Sequence, residues 1–186
     1  MCYHTKLEDD KENIEKKLKA HFRLPELFSP SDHYNGFAKP LTPVITIENP
    51  SIIELIQWGF LANWQPAPLL NAKIETLYEL KSFKDYTDNR CLIIVDGFYE
   101  WKHEGKNKIK YQIGFGDEIF CLAGIFKYEN NQPYYTIITT EAQGIMREIH
   151  NSKLRMPFAL NDMSKQTAWL HNEPVEPDWD FTAIKV

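Results

Sequence analysis

Cys91-Leu92-Ile93-Ile94-Val95-Asp96-Gly97-Phe98-Tyr99-Glu100-Trp101-Lys102 is the stretch that decides the fold class. The apolar run 91–95 is too short for a helix and reads as a buried strand. Asp96-Gly97 is a turn pair that stops it, and Phe98 to Lys102 resumes an extended chain. Toward the C-terminus, Lys110 to Ile113, Ile119 to Phe126 and Tyr134 to Thr139 repeat the pattern, separated by Gly- or Asn-rich turns. Strands at this spacing, with no helix between them, predict an antiparallel, meander-like sheet rather than βαβ units.

Upstream, Val44-Ile45-Thr46-Ile47 and residues 52–60 predict two more strands, and the prolines at 25, 30, 40, 43 and 50 predict turns between short extended pieces. Ile14, Leu18 and Phe22 recur at helical spacing behind Asp9 and Asp10, so 9–21 is expected to be helical. Ser82 is expected to cap a short helix to about Tyr86. Thr140-Glu141-Ala142-Gln143 has the form of a capping box, with Ala142, Ile145, Met146 and Ile149 as the apolar face and His150 at the C-terminal end. There the helix dipole would favour a protonated imidazole. Ser164 is expected to cap a last helix to Leu170. The expected architecture is α+β: a mostly antiparallel sheet with flanking helices, in one domain over 1–186 with an acidic tail at 171–186.

The chain has 186 residues, 43% hydrophobic and 25% charged, which excludes disorder and collagen-like repeats. No apolar run approaches the ~20 residues of a membrane helix, and the N-terminal Met-Cys-Tyr-His-Thr-Lys has no signal-peptide pattern. Three unpaired cysteines in no CxxC spacing argue against a disulfide framework or a zinc cluster and for the cytoplasm. The net charge of −5 argues against DNA binding by bulk charge, but leaves room for a local basic groove. Residues 101–110 carry net +3 and residues 147–155 net +2, each beside a polar residue set in apolar surroundings, Glu100 and His150. With Cys2 and Asn71 these make a set of nucleophile, orienter and two proton carriers. Taken singly, Asn71 also suits a turn, Glu100 a solvated strand, His150 a helix end and Cys2 a frayed terminus.

At these residues the chain resembles the SOS-response-associated peptidase (SRAP) family, whose members capture abasic sites in DNA. The resemblance rests on Cys2, Trp58-Gly59-Phe60-Leu61-Ala62-Asn63-Trp64, Asn71-Ala72-Lys73-Ile74-Glu75-Thr76, Arg90-Cys91-Leu92, Asp96-Gly97-Phe98-Tyr99-Glu100-Trp101, Ala123-Gly124-Ile125-Phe126, Ile149-His150 and Met156-Pro157, in that order. It runs to about Leu160. It implies a curved or barrel-like closure of the sheet and a monomer that works without metal or cofactor. It implies that Met1 is removed, so that Cys2 offers an α-amine and a thiol to the aldehyde of an abasic site in single-stranded DNA and closes a thiazolidine. Asn71 is then the orienter, Glu100 the acid for ring opening and His150 the proton carrier. His4, Trp64, Lys73, Trp101, Lys153 and Arg155 are the expected DNA contacts. Trp58 is a further aromatic, more suited to the core. A bacterial-type cytoplasmic protein that joins the nucleoid when bound to DNA is the expected setting.

The chain departs from the family at Tyr3-His4, where Gly-Arg is common, at Lys73 for Arg and at Ala62 for Pro. Its His150-to-Met156-Pro157 segment is also three residues longer. Arg155 or Lys153 must supply the phosphate contact there. Two other readings stand beside abasic-site capture: a thiol autopeptidase acting on its own N-terminus, and a non-catalytic single-strand-binding module.

Overall fold

A computed structural model describes residues 2–186. In chain order the strands are β1 (His4–Leu7), β2 (His21–Phe22), β3 (Ser31–Asn35), β4 (Leu41–Thr46), β5 (Ile52–Trp58), β6 (Phe60–Ala62), β7 (Gln65–Leu69), β8 (Asn71–Lys73), β9 (Arg90–Val95), β10 (Gly97–Glu104), β11 (Asn107–Gly114), β12 (Phe120–Glu129), β13 (Gln132–Glu141), β14 (Arg155–Pro157), β15 (Ala159–Leu160) and β16 (Thr182–Lys185). The helices are α1 (Lys11–Leu18), α2 (Met146–Ile149) and α3 (Met163–Leu170).

The apolar run at 91–95 becomes β9, which pairs antiparallel with β4 on one side and β12 on the other. β12 pairs with β13, β4 with β5, and β13 returns to β5 through a parallel contact at Tyr135 and Trp58. The ring β4-β5-β13-β12-β9 therefore closes, as the barrel-like expectation required. Alternation along these strands divides the apolar residues into two cores. Cys91, Ile93 and Val95 join Val44, Ile56, Trp58, Tyr135 and Cys2 in one. Leu92 and Ile94 join Ile45, Ile53 and the helix residues Ile14, Leu18 and Trp169 in the other. Ile93 is fully buried, so truncation to Ala is expected to cost roughly 2–5 kcal/mol. Gly124 sits where strands crowd: a Cβ there would collide with Ile93 Cδ1 and meet the Thr136 carbonyl at 2.9 Å.

Asp96-Gly97 does stop β9, but it does not fold the chain back. It passes the chain into a second sheet of order β16-β11-β10-β1-β3. Gly97 makes the passage close, since a Cβ would lie 3.0 Å from the Lys6 side chain and 3.2 Å from the Ile113 carbonyl. One extended run thus serves both sheets, and β1 is laid between β10 and β3.

Four local expectations are corrected. Residues 140–141 are strand, because Thr140 and Glu141 pair with Met156 and Arg155 of β14; this tertiary pairing overrides the capping-box pattern. What remains of that helix is the single turn α2, with Met146 and Ile149 buried. The segment after Ser82 is a 3-10 turn at 84–86 with no side-chain cap, anchored by buried Phe83. Asp162, not Ser164, caps α3 by accepting from the Lys165 N–H, while Ser164 donates to that same carboxylate. The acidic C-terminal segment adds β16 to β11 and buries Phe181 edge-on to Phe98.

Candidate functional site

The site forms where the chain's first residues run along β10. β1 is antiparallel to β10, with Thr5 opposite Phe98 and Lys6 opposite Gly97, and the Gly36 N–H donates to the Tyr3 carbonyl at 2.9 Å. Cys2 is fully buried at the end of this strand. Asn71 reaches it from β8, which β13 holds by a parallel pairing of Asn71 with Ile137. Asn71 Nδ2 donates to the Cys2 carbonyl at 3.0 Å. Glu100, on β10 opposite Tyr111, is buried to 6% exposure. His150 follows α2 and donates its backbone N–H to the Met146 carbonyl. Its Nε2 lies 3.8 Å from Glu100 Oε2. The four residues singled out from the sequence thus meet at one place: Asn71 on Cys2, and His150 on Glu100.

Burial sets the proton chemistry. It raises the Glu100 carboxyl from 4.5 to about 7 and lowers the His150 imidazole from 6.5 to about 4. The second shift overturns the expectation of a protonated His150: a one-turn helix has little dipole to offer, and desolvation wins. The 3.8 Å contact is therefore not an ion pair at neutral pH, despite its geometry. His150 Nδ1 lies 2.7 Å from the Arg155 carbonyl and 3.2 Å from the Arg155 N–H. The shorter contact assigns the proton to Nδ1 and leaves Nε2 basic toward Glu100. Burial, and then Glu100, push the Cys2 thiol far up, and its sulfur faces the His4 carbonyl at 3.9 Å. The thiol is neutral.

A cavity of about 490 Å³ opens on Glu100 and His150 but not on Cys2 or Asn71; its lining is Tyr3, His4, Glu100, Trp101, His103, Lys108, His150, Ser152 and Lys153. A cavity of similar size, near Phe22, Leu27 and Phe28, is apolar, and its charged lining residues Arg23 and Glu54 pair with each other. Three of the expected DNA contacts, His4, Trp101 and Lys153, line the site cavity. His4 Nδ1 is 2.8 Å from His33 Nε2 and its ring meets Trp101 edge-on; burial, then His33 and Lys110, lower it to about 4. Lys73 is exposed at the end of β8. Trp64 is 69% exposed between β6 and β7 and is not part of this lining. Arg155 is committed elsewhere: its fork grips both oxygens of Glu75 at 2.7 and 2.9 Å and donates to the Thr139 carbonyl. Trp58 is fully buried and donates to the Leu70 carbonyl, a core residue.

Asn151, which no sequence motif marks, also joins this region. Its amide accepts from the His103 N–H at 3.1 Å and donates to the His103 carbonyl at 2.9 Å. Its only mark in the sequence is its place in the lengthened segment after His150. Among the described residues, no group of three or more His, Cys, Asp or Glu is placed to hold a metal ion, and no helix is long and apolar enough to cross a membrane.

The family model for "SOS response associated peptidase (SRAP)" matches residues 1–183, and the chain belongs to that family. The match reaches beyond the sequence motifs, into the first half of β16. Abasic site processing protein YoqW of Bacillus subtilis is 32% identical over 96% of this chain and 84% of its own length. Abasic site processing protein YMR114C of Saccharomyces cerevisiae is 28% identical over 98% of this chain and 52% of its own. A crystal structure of a Bacteroides thetaiotaomicron protein matches with a TM-score of 0.86 at 25% identity, covering all of this chain and 92% of that one.

Proposed function

We propose that the protein processes abasic sites in DNA, and that it does so by capturing them covalently on Cys2 in single-stranded DNA. The observation that carries this reading is Cys2 held by Asn71 beside a Glu100 poised to donate a proton at neutral pH. The reading includes removal of Met1, which lies outside the described residues. Cys2 then carries an α-amine with an ordinary pKa of about 7.7–8.0, a usable nucleophile at neutral pH.

Glu100, half protonated near pH 7, gives its proton to the ring oxygen of the closed sugar, and neutral His150 Nε2 takes the proton of the anomeric hydroxyl. The aldehyde so freed accepts the Cys2 amine, and loss of one water gives the imine. The thiol then adds sulfur to the imine carbon, and its proton passes to nitrogen, closing a five-membered thiazolidine. A thiol that stays neutral until this last step suits the sequence better than a peptidase mechanism, which needs a thiolate from the start. The Cys2 sulfur faces the His4 carbonyl, while His150 Nε2 faces Glu100. On the DNA side, Lys108 and Lys153 meet phosphate, with Lys73 farther along; Trp101 and Trp64 meet bases; His4 takes part through its bond to His33.

Intact mass after incubation with an oligonucleotide carrying one abasic site tests this. The expected adduct is protein plus DNA minus one water, lost in Cys2→Ala. No adduct from protein with a confirmed Cys2 terminus would overturn the reading.

A further inference from the structure

Behind Tyr3 lies a second, smaller cavity of about 250 Å³ with Phe37, Pro68, Leu69, Leu70 and Asn71 in its lining. Its walls hold no charged residue, unlike the site cavity with its Lys108 and Lys153. Tyr3 lines both cavities and so stands as the wall between them. Asn71 lines the second while its amide holds the Cys2 carbonyl. The Tyr3 and Phe37 rings lie 5.0 Å apart, tilted by 44°. Phe37 is 54% exposed, yet its turn is fixed: the Phe37 N–H donates to Asn35 Oδ1, and the Gly36 N–H to the Tyr3 carbonyl.

We propose that the Tyr3 and Phe37 rings, packed against each other, form one aromatic wall of a slot for the nucleobase next to the abasic site, with Pro68 and Leu69 also lining it, the captured sugar on the Cys2–Glu100 side of Tyr3 and its neighbour's base on the other. This rests on the reading of Cys2 above. A strand bonded at Cys2 must carry its next base within one nucleotide's reach of that bond. An uncharged cleft with aromatic faces and one amide at its end accepts a planar base and gives a phosphate nothing to bind. Tyr3 replaces the Gly common at this position, so the slot is a feature of this chain rather than of every relative.

The test uses oligonucleotides that differ only in one nucleotide flanking the abasic site, on the 5′ or the 3′ side, carrying either adenine or a tetrahydrofuran spacer with no base. Single-turnover capture is measured against protein concentration. The wild type is expected to need roughly tenfold less protein to reach half-maximal capture with adenine than with spacer on one of the two sides. Phe37→Ala and Phe37→Leu should bring the two curves together, Phe37→Trp should keep them apart, and thermal melting reports the fold of each. The contrast within the wild type requires no variant to fold. Equal half-maximal concentrations on both sides, or a full difference surviving in folded Phe37→Ala, would sink the slot alone. No capture of either oligonucleotide would sink the Cys2 reading, and the slot with it.

Discussion

Asp96 and Glu100 stand four residues apart on one stretch of chain, both nearly buried, and their surroundings make opposite use of them. Asp96 Oδ2 accepts from the Glu8 N–H at 2.6 Å and the Asp9 N–H at 3.3 Å, and Oδ1 lies 3.5 Å from Lys6 Nζ. Burial works against the Lys6 charge, but Glu8 and Asp96 outweigh it and hold Lys6 above its ordinary value. Asp96 thus welds β1 to the point where the chain changes sheets. Glu100 faces a neutral imidazole at 3.8 Å, and burial lifts its carboxyl to about 7. Two N–H donors and Lys6 tie Asp96 into the fold; at Glu100 burial outweighs the contacts that favour its charge, the Trp101 backbone N–H among them, and the carboxyl stays raised beside His150. On the proposed reading Asp96 serves stability and Glu100 serves the chemistry.

The sharpest way to break it is Glu100→Gln. On the proposed reading capture falls about 10²–10⁴-fold, the usual weight of a general acid, as read by single-turnover kinetics with abasic DNA. Stability moves the other way. The folded carboxyl is raised from 4.5 to about 7, so its stabilising share is complete below 4.5 and is lost as pH rises through 7. Glu100→Gln should therefore stabilise the fold at pH 8, by an upper bound of roughly 3 kcal/mol, and leave it unchanged at pH 4. Denaturant melts at the two pH values check this, and a loss of stability at pH 8 would return Glu100 to a structural role. Asp96→Ala is the mirror experiment. It leaves Lys6 with Glu8 alone and the Glu8 and Asp9 N–H groups without their acceptor, which should cost about 3 kcal/mol, while the capture rate of the remaining folded protein changes little.

A smaller effect is expected in the pH profile. On the proposed reading capture needs the α-amine free and Glu100 protonated, so the rate should peak between about 7 and 8 and fall up to tenfold per pH unit on either side. Glu100→Gln should erase the alkaline limb and keep the acidic one. A profile of unchanged shape in that variant would remove Glu100 from the titration.

The sheet could be read from the sequence because its strands are short apolar runs between turn residues, and 91–95 did become a strand between two partners. The failures share a cause. Thr140-Glu141 satisfies a local helix pattern, but β14 offers it a ladder, and a local rule carries no information about partners as distant in the chain as Arg155 and Met156. The four site residues were nameable from motifs, but their protonation was not. His150 was expected to be charged from its place at a helix end, and only the packing around it reverses that. Arg155 and Lys153 were interchangeable as letters; Glu75, some eighty positions earlier, separates them by occupying Arg155.

The smallest expected effect concerns how His150 is kept in place against Glu100. β1 pairs with β10 only at Gly97 and Phe98, so the edge of β10 at His103 lacks a strand partner on that side. The Asn151 amide fills the gap with one acceptor and one donor, as a residue of a neighbouring strand would. This ties the 150–155 segment to β10, with His150 at one end and Lys153 over the cavity. Leu154 completes the bend with a φ of 52°, a conformation a branched side chain rarely adopts and which the Asn151 clamp helps to hold. Asn151→Ala loses both bonds, at a cost of about 1–2 kcal/mol, and should slow capture several-fold as His150 drifts from Glu100. Asn151→Asp keeps the acceptor for the His103 N–H but has no donor for the carbonyl, so its rate should fall between wild type and Ala. If Asp matches Ala in rate while retaining more stability, the clamp holds the fold alone, and the Glu100–His150 geometry must be set by β10 and α2.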